Sequence, residues 1–538
     1  MDSQALGRAR ISRRTALKMA AASASAAALA ACLPQTAAPS ASPGASTVAS
    51  APVGKLAIGF AFGPNTLDPH FWVNFRDQDI VTHLFDPLTY RKPTGEFVGN
   101  LIESWKRVDE NTWQFKLRKG VTFQNGKPWN AEAMKYNFAR MVDPALKATI
   151  ASAKLIKLVR GDVVDEFTVN MVTASPLSEP GMTLRLSDVA MVEPTYYTGL
   201  APDAASRTPI GSGPFKLVEF VKDDHLTMEP NKDYWRRAEI WGGNTPKLGT
   251  LTWKILPEVA TRMAAVQTGA LDIAWDIPLD VAQTVSGAGV RAIVTPTDGR
   301  MFIGMNQTKP YLKDLRVRQA LNYAVNWDVI NKSLFQGKAP RLSSWVSVQS
   351  SNYNSSTKAY SYDPEKAKAL LQAAGVPTGY KMLCMAQSSL VGSGTLAQAI
   401  GQDFAKVGIT LESQVVEATI YAKRLVDRTA DDLWLGSFGG GSDDGQGALT
   451  TLDKSFDRSA YAWVNPEWDR LFASLNGAAA LDLALRRTTI LRLQEIAMDD
   501  APVVFLAARP IVHVVGPRVK SWDPRFDQLF MPWEVQLA

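Results

Sequence analysis

The chain has 538 residues, 46% hydrophobic and 20% charged, an ordinary globular composition with room for two or three domains. Its net charge of +6 is uneven: residues 1–31 hold Arg8, Arg10, Arg13, Arg14 and Lys18 against Asp2, which leaves only +2 on the rest. With no basic cluster and no membrane-length apolar run after Cys32, the reading excludes a nucleic-acid partner and a spanning helix.

Residues 1–31 read as an export signal, a basic start followed by an apolar run of small residues. Ser12-Arg13-Arg14-Thr15-Ala16-Leu17-Lys18 resembles a twin-arginine signal, S-R-R-x-F-L-K, with Ala16 where Phe is usual. Leu29-Ala30-Ala31-Cys32 resembles a lipobox, whose cysteine is acylated and becomes the first mature residue. The run from Met19 to Ala31 is too short for a bilayer, which needs about 20 residues. The plainer alternative is an alanine-rich disordered tail. The expected location is the periplasmic space or cell envelope, with a lipid anchor on Cys32. Residues 33–54 carry no charge and no aromatic ring, so 32–54 is read as a flexible tether.

Order is expected from Lys55, where residues 55–60 look like a strand. Trp113 to Leu117 alternates apolar and polar, the period of a half-buried strand, and Gln124-Asn125-Gly126-Lys127 looks like a hairpin turn. Asn130 is placed as the N-cap of a helix running to Met141, with Ala133, Met134, Phe138 and Met141 at helical spacing. Leu315 to Ile330 reads as one helix with Val317, Ala320, Leu321 and Ala324 on a face. Asp363-Pro364-Glu365 opens another, closed by Gly375. Cys384 lies in the apolar run 381–385 and reads as a buried, inert thiol; with Cys32 lipidated, it has no disulfide partner in the chain. Arg486 to Met498 is the last strong helix. Strands interleaved with helices indicate an α/β protein.

Reaction chemistry is not evident. His70, His83, His225 and His513 have no second ligand at metal-binding spacing, so no metal is expected, and no cofactor motif is present. There is no G-x-S-x-G elbow, and Gly439-Gly440-Gly441 lacks the Lys-Ser/Thr that would follow in a phosphate loop. Two carboxylates acting across a cleft stay open, because sequence cannot pair them. Binding is favoured over catalysis.

Several stretches together resemble the bacterial extracellular solute-binding proteins of the peptide and nickel class, family 5, which feed ABC importers. They are Thr66-Leu67-Asp68-Pro69, Leu84-Phe85-Asp86-Pro87-Leu88, Leu101-Ile102-Glu103-Ser104-Trp105 and Leu117-Arg118-Lys119-Gly120-Val121-Thr122-Phe123. Gly211-Ser212-Gly213-Pro214-Phe215, Asn231-Lys232-Asp233-Tyr234-Trp235, Val317-Arg318-Gln319-Ala320-Leu321 and Tyr362-Asp363-Pro364-Glu365 continue the series in order. Read residue by residue, most are core positions, and Gly211 and Gly213 mark places where only small residues fit beside Pro214. The resemblance implies a two-lobed periplasmic-binding-protein fold, α/β, with an additional third domain (class C type). The expected division is lobe one at 55–90, 208–303 and 506–538, the extra domain at 91–207 and lobe two at 304–505. Crossings between lobes are expected near 301–306 and 503–507, both apolar and strand-like. The implied function is the substrate-binding lipoprotein of an ABC importer. It would capture a small-molecule or oligopeptide ligand in the interlobe cleft and deliver it to a permease by hinge closure, as a monomer.

Peptide binders of this family often carry G-W-x-x-D-Y-x-D-P where this chain has Leu435-Gly436-Ser437-Phe438-Gly439-Gly440-Gly441-Ser442-Asp443-Asp444-Gly445. Aligning the second Asp with Asp443 puts Gly440 where the resemblance implies an amine-anchoring carboxylate, and Phe438 near the Trp. Phe438, Gly439, Gly440, Gly441, Asp443 and Asp444 are therefore candidate ligand-binding residues, with a flexible turn as the alternative. Phe71 and Trp72 are candidates to wall an apolar pocket, or else core residues. Arg300 is read as a solvated arginine more than as an anion contact. Alternatives to peptide capture are a sugar, metal-chelate or acidic solute in the same fold, a sensor subunit, or an exported hydrolase.

Overall fold

The structure is a computed structural model that describes residues 54–538, apart from 72–74, 147, 149–155, 244–245, 286, 440–443 and 457. The export signal, Cys32 and the tether up to residue 53 lie outside the described residues, as do Trp72, Gly440, Gly441 and Asp443.

Ten strands form one mixed sheet. From one edge the order is Ile409–Val416, Tyr380–Gln387, Leu433–Phe438, Arg291–Met305, Val503–Val515, Ile273–Ala274, Lys55–Phe60, Thr250–Ile255, His225–Pro230 and Phe215–Val221. Two long antiparallel strands, Arg291–Met305 and Val503–Val515, serve both halves. Residues 300–305 also pair with Leu433–Phe438, whereas Val514 and Val515 pair with Ile273–Ala274. Between the halves the register shifts, from Pro296 opposite Pro510 to Arg300 opposite Ala508. Neither proline has an N–H for the ladder, so backbone pairing is thinnest where the chain passes from one half to the other. The Thr297 hydroxyl donates to the Arg509 carbonyl at 2.6 Å across this gap.

Each half is covered on both faces, as an α/β sheet requires. One half packs Ile303, Leu321, Ile400 and Leu435 on one face and Trp345, Trp434, Trp468 and Phe505 on the other. The other half packs Ile58, Trp253, Trp275 and Phe530 opposite Val266, Leu271 and Val514. A third body has its own core of Trp113, Phe115, Trp129 and Phe138. It is an antiparallel sheet in the order Ile102–Asp109, Thr112–Leu117, Thr168–Thr173, Leu158–Asp165, with the helix Ala131–Val142 against it. No described helix is long and apolar enough to cross a membrane.

Local signals set many element ends. Asn130 caps its helix by accepting from the Ala133 N–H at 3.0 Å, and Asp363 caps the helix Pro364–Ala373 by accepting from the Lys366 N–H at 2.9 Å. Gly126 turns its hairpin at φ +82°, and Gly375 follows the helix at φ +71°. Cys384 is buried, which pushes its thiol pKa up to about 12 and keeps it protonated. One expectation is corrected. The segment from Leu315 to Ile330 is two helices, Leu315–Ala324 and Trp327–Phe335, not one. Asn326 breaks it: its side chain caps the second helix, and its N–H donates to Asp403 at 2.8 Å instead of continuing the first.

Candidate functional site

Three motifs far apart in sequence meet at the side chain of Asp86. The Ser212 hydroxyl and the Trp235 indole N–H donate to its Oδ2 at 3.0 and 2.9 Å, and the Tyr234 hydroxyl donates to its Oδ1 at 2.8 Å. The Asn100 amide adds a long contact of 3.4 Å to Oδ1. Gly211 and Gly213 permit this approach. A Cβ on Gly213 would lie 2.5 Å from the carbonyl carbon of Leu84, and one on Gly211 would lie 2.3 Å from the Leu84 oxygen. Burial raises the Asp86 pKa, opposed by the Trp235 and Tyr234 hydrogen bonds. Four donors occupy about all the lone-pair positions a carboxyl group offers. Asp86 therefore holds one wall together and has little left for a ligand.

That wall faces a cavity of about 340 Å³, within the range of small-ligand sites. Asp86, Pro214, Tyr234, Arg236, Met531 and Trp533 form one side. Phe438, Gly439, Gly447, Thr450, Thr451 and Phe456 form the facing side, from the other half of the large sheet and the helix Gln446–Thr450 that follows it. The lining is mainly apolar, with charged groups set into it. The Arg236 guanidinium binds Glu239 and donates to Asn100 at 2.7 Å. Asp527 takes two bonds from Arg525, at 3.0 and 2.7 Å. Asp188 accepts from the Gln78 amide at 2.7 Å.

The structure separates the residues expected here from sequence. Phe438 and Gly439 line the cavity, and the Phe438 ring lies 5.0 Å from that of Phe302 and 5.5 Å from that of Phe456. Asp444 is not among the lining residues. It is buried, and its carboxylate forms an ion pair with the equally buried Arg486. Phe71 lies under the Arg140 guanidinium at 5.6 Å, in the cluster where Arg140 pairs with Asp68 at 2.6 Å, and is not a lining residue. Arg300 is buried, not solvated: its strand is flanked on both sides, and its guanidinium sits 5.4 Å from the Trp345 ring. Sequence reading missed Asp86, Arg185, Tyr234, Arg236 and Trp533. Asp86, Tyr234 and Trp235 stood inside the motifs, but each alone reads as packing; only their convergence marks the wall.

The family model described as bacterial extracellular solute-binding proteins, family 5 Middle, matches residues 96–460. The glutathione-binding protein GsiB of Pectobacterium atrosepticum is 27% identical over 497 residues, covering 90% of this chain and 94% of that protein. The dipeptide-binding protein of Escherichia coli is 27% identical, covering 80% and 85%. Among solved structures, the ABC transporter-associated periplasmic binding protein DppA of Helicobacter pylori, in complex with the peptide STSA, superposes with a TM-score of 0.76 at 22% identity. It covers 90% of this chain and 98% of that one.

Proposed function

This chain belongs to the bacterial extracellular solute-binding proteins of family 5, and from that premise we propose that it is the substrate-binding component of an ABC importer. It captures a peptide or peptide-like solute between its two lobes, closes on it, and presents the closed form to a permease. The observation that carries this reading is the 340 Å³ cavity, whose two walls come from opposite halves of the sheet. The relatives named for dipeptide and glutathione binding support peptide-like cargo. Motion is assigned to the proline-paired gap around Thr297 and Arg509, where few ladder bonds resist bending. Lobe one is assigned to 55–90, 208–303 and 506–538, the extra domain to 91–207 and lobe two to 304–505. The protein acts as a monomer held to the membrane by lipid on Cys32 after twin-arginine-type export.

Native mass spectrometry of the purified protein, followed by calorimetry with the co-purifying compound and a di- and tripeptide panel, tests the cargo. Small-angle scattering should give a smaller radius of gyration at saturation. Hydrolysis of a bound peptide would replace the binding reading with an enzymatic one. For the anchor, Cys32→Ser should release the protein from the membrane fraction.

A further inference from the structure

The acids of the cavity wall are occupied within the chain. Asp86 takes bonds from Ser212, Tyr234 and Trp235, Asp527 from Arg525, and Asp188 from Gln78. Asp298 and Arg91 also interact within the protein, and Arg236 binds Glu239. One charged lining residue stands apart. Arg185, half-buried in the last turn of the helix Glu179–Ser187, has no side-chain hydrogen bond or ion pair among the described residues. It also lines a side chamber of about 130 Å³, which shares Arg185, Gly447 and Thr450 with the main cavity. The rest of that chamber includes Gln446, Ser455, Asn476, Phe472 and Lys157. Among the described residues no carboxylate lines it and Lys157 has no ion-pair partner. The chamber thus carries two unneutralised cations and neutral hydrogen-bonding groups, with room for a carboxyl group and its stem.

We propose that the ligand carries a carboxylate which enters this side chamber and is bound by Arg185, with Lys157 adding charge at the rim. The cleft is thereby selective for acidic peptide-like solutes. The inference rests on the reading of the cleft as the ligand site. The reason is electrostatic. A half-buried guanidinium offers a planar pair of N–H groups that match a carboxylate, and no acid among the described residues competes for them. A neutral group in the same place would leave those donors unsatisfied behind a closed cleft.

Calorimetry with the whole protein separates this from the cargo assignment. The probes are Ala-Leu-Glu, the carboxylate-free Ala-Leu-Gln amide with the same free amino terminus, glutarate and galacturonate. Wild type should prefer Ala-Leu-Glu to the amide, and Arg185→Gln should weaken the acid by about tenfold to a hundredfold while leaving the amide unchanged. Arg185→Lys should recover only part of the loss. Lys157→Gln, at an exposed position, should give a smaller loss that fades with added salt. Equal wild-type binding of acid and amide, or an acid preference that survives Arg185→Gln, overturns the anchor and leaves peptide capture standing. Binding of glutarate or galacturonate alone, lost in Arg185→Gln, overturns peptide cargo and upholds the anchor. Failure of every acid probe to bind overturns the proposal.

Discussion

Replacing Asp444 by alanine would strand a positive charge in the interior. The Arg486 side chain is 1% exposed and that of Asp444 2%, and the pair is backed by Arg486 donating to the Leu475 carbonyl at 3.1 Å and to Gln446 Oε1 at 2.6 Å. Removing one partner of such a buried pair costs about 3–5 kcal/mol, because the other charge stays desolvated. At about 2 cal/mol/K of unfolding entropy per residue, a chain of roughly 490 residues loses about 1 °C per kcal/mol. Asp444→Ala should therefore lower the calorimetric melting temperature by about 3–5 °C if the body melts as one unit. A double-mutant cycle with Arg486→Met should return a coupling energy of about 1–3 kcal/mol. The exposed pair Lys368–Glu365 is the control, and Glu365→Ala should leave the melting curve in place. Binding of Ala-Leu-Glu and of its N-acetylated form should fall in equal proportion, through loosening of the segment that carries Gly447 and Thr450. An unshifted melting curve combined with selective loss of the free-amine peptide would refute this reasoning and make Asp444 an amine anchor.

Other consequences follow from single contacts. Gly213→Ala places a methyl group 2.5–2.7 Å from backbone atoms of His83, Leu84 and Phe85, which cannot swing aside; denaturant unfolding should show a loss of about 1–3 kcal/mol or more. Burial lowers the His83 pKa from its usual 6.5 to about 4, and its Nδ1–H donates to the Asp79 carbonyl. The unfolded chain takes up that proton first as pH falls, so up to about 3 kcal/mol of stability present above pH 6.5 is lost toward pH 4. A stability-versus-pH curve of His83→Asn should be flatter across that window, and an identical slope would rule the residue out. Glu534 has the opposite sign. Burial raises its pKa from 4.5 to about 7, opposed by Arg525, so it keeps a proton in the fold that the unfolded chain gives up. Its contribution is fully present below pH 4.5 and declines as pH rises to 7, and Glu534→Gln should melt higher than wild type at pH 8; an equal or lower melting temperature would refute the cost of burying that carboxylate.

Much of the local structure could be read directly from the chain. The Asn130 and Asp363 caps, the Gly126 turn and the alternation at Trp113–Leu117 depend on groups within a few residues of each other, so their hydrogen bonds and periodicity are written in consecutive letters. The motifs from Thr66 to Glu365 carried the family for the same reason, as did Gly211 and Gly213 by demanding small residues. What the chain did not disclose was which distant groups meet. The helix from Leu315 breaks because Asp403, 77 residues on, takes the Asn326 N–H. Asp444 finds Arg486 across 42 residues, and Asp86 finds Tyr234 across 148. Asp444 and Arg185 look alike in sequence, each a charge near a cleft. Folding closes the first onto an internal partner and leaves the second without one among the described residues. Whether a charge is satisfied depends on every group the tertiary structure brings within hydrogen-bonding distance, and no local pattern records that.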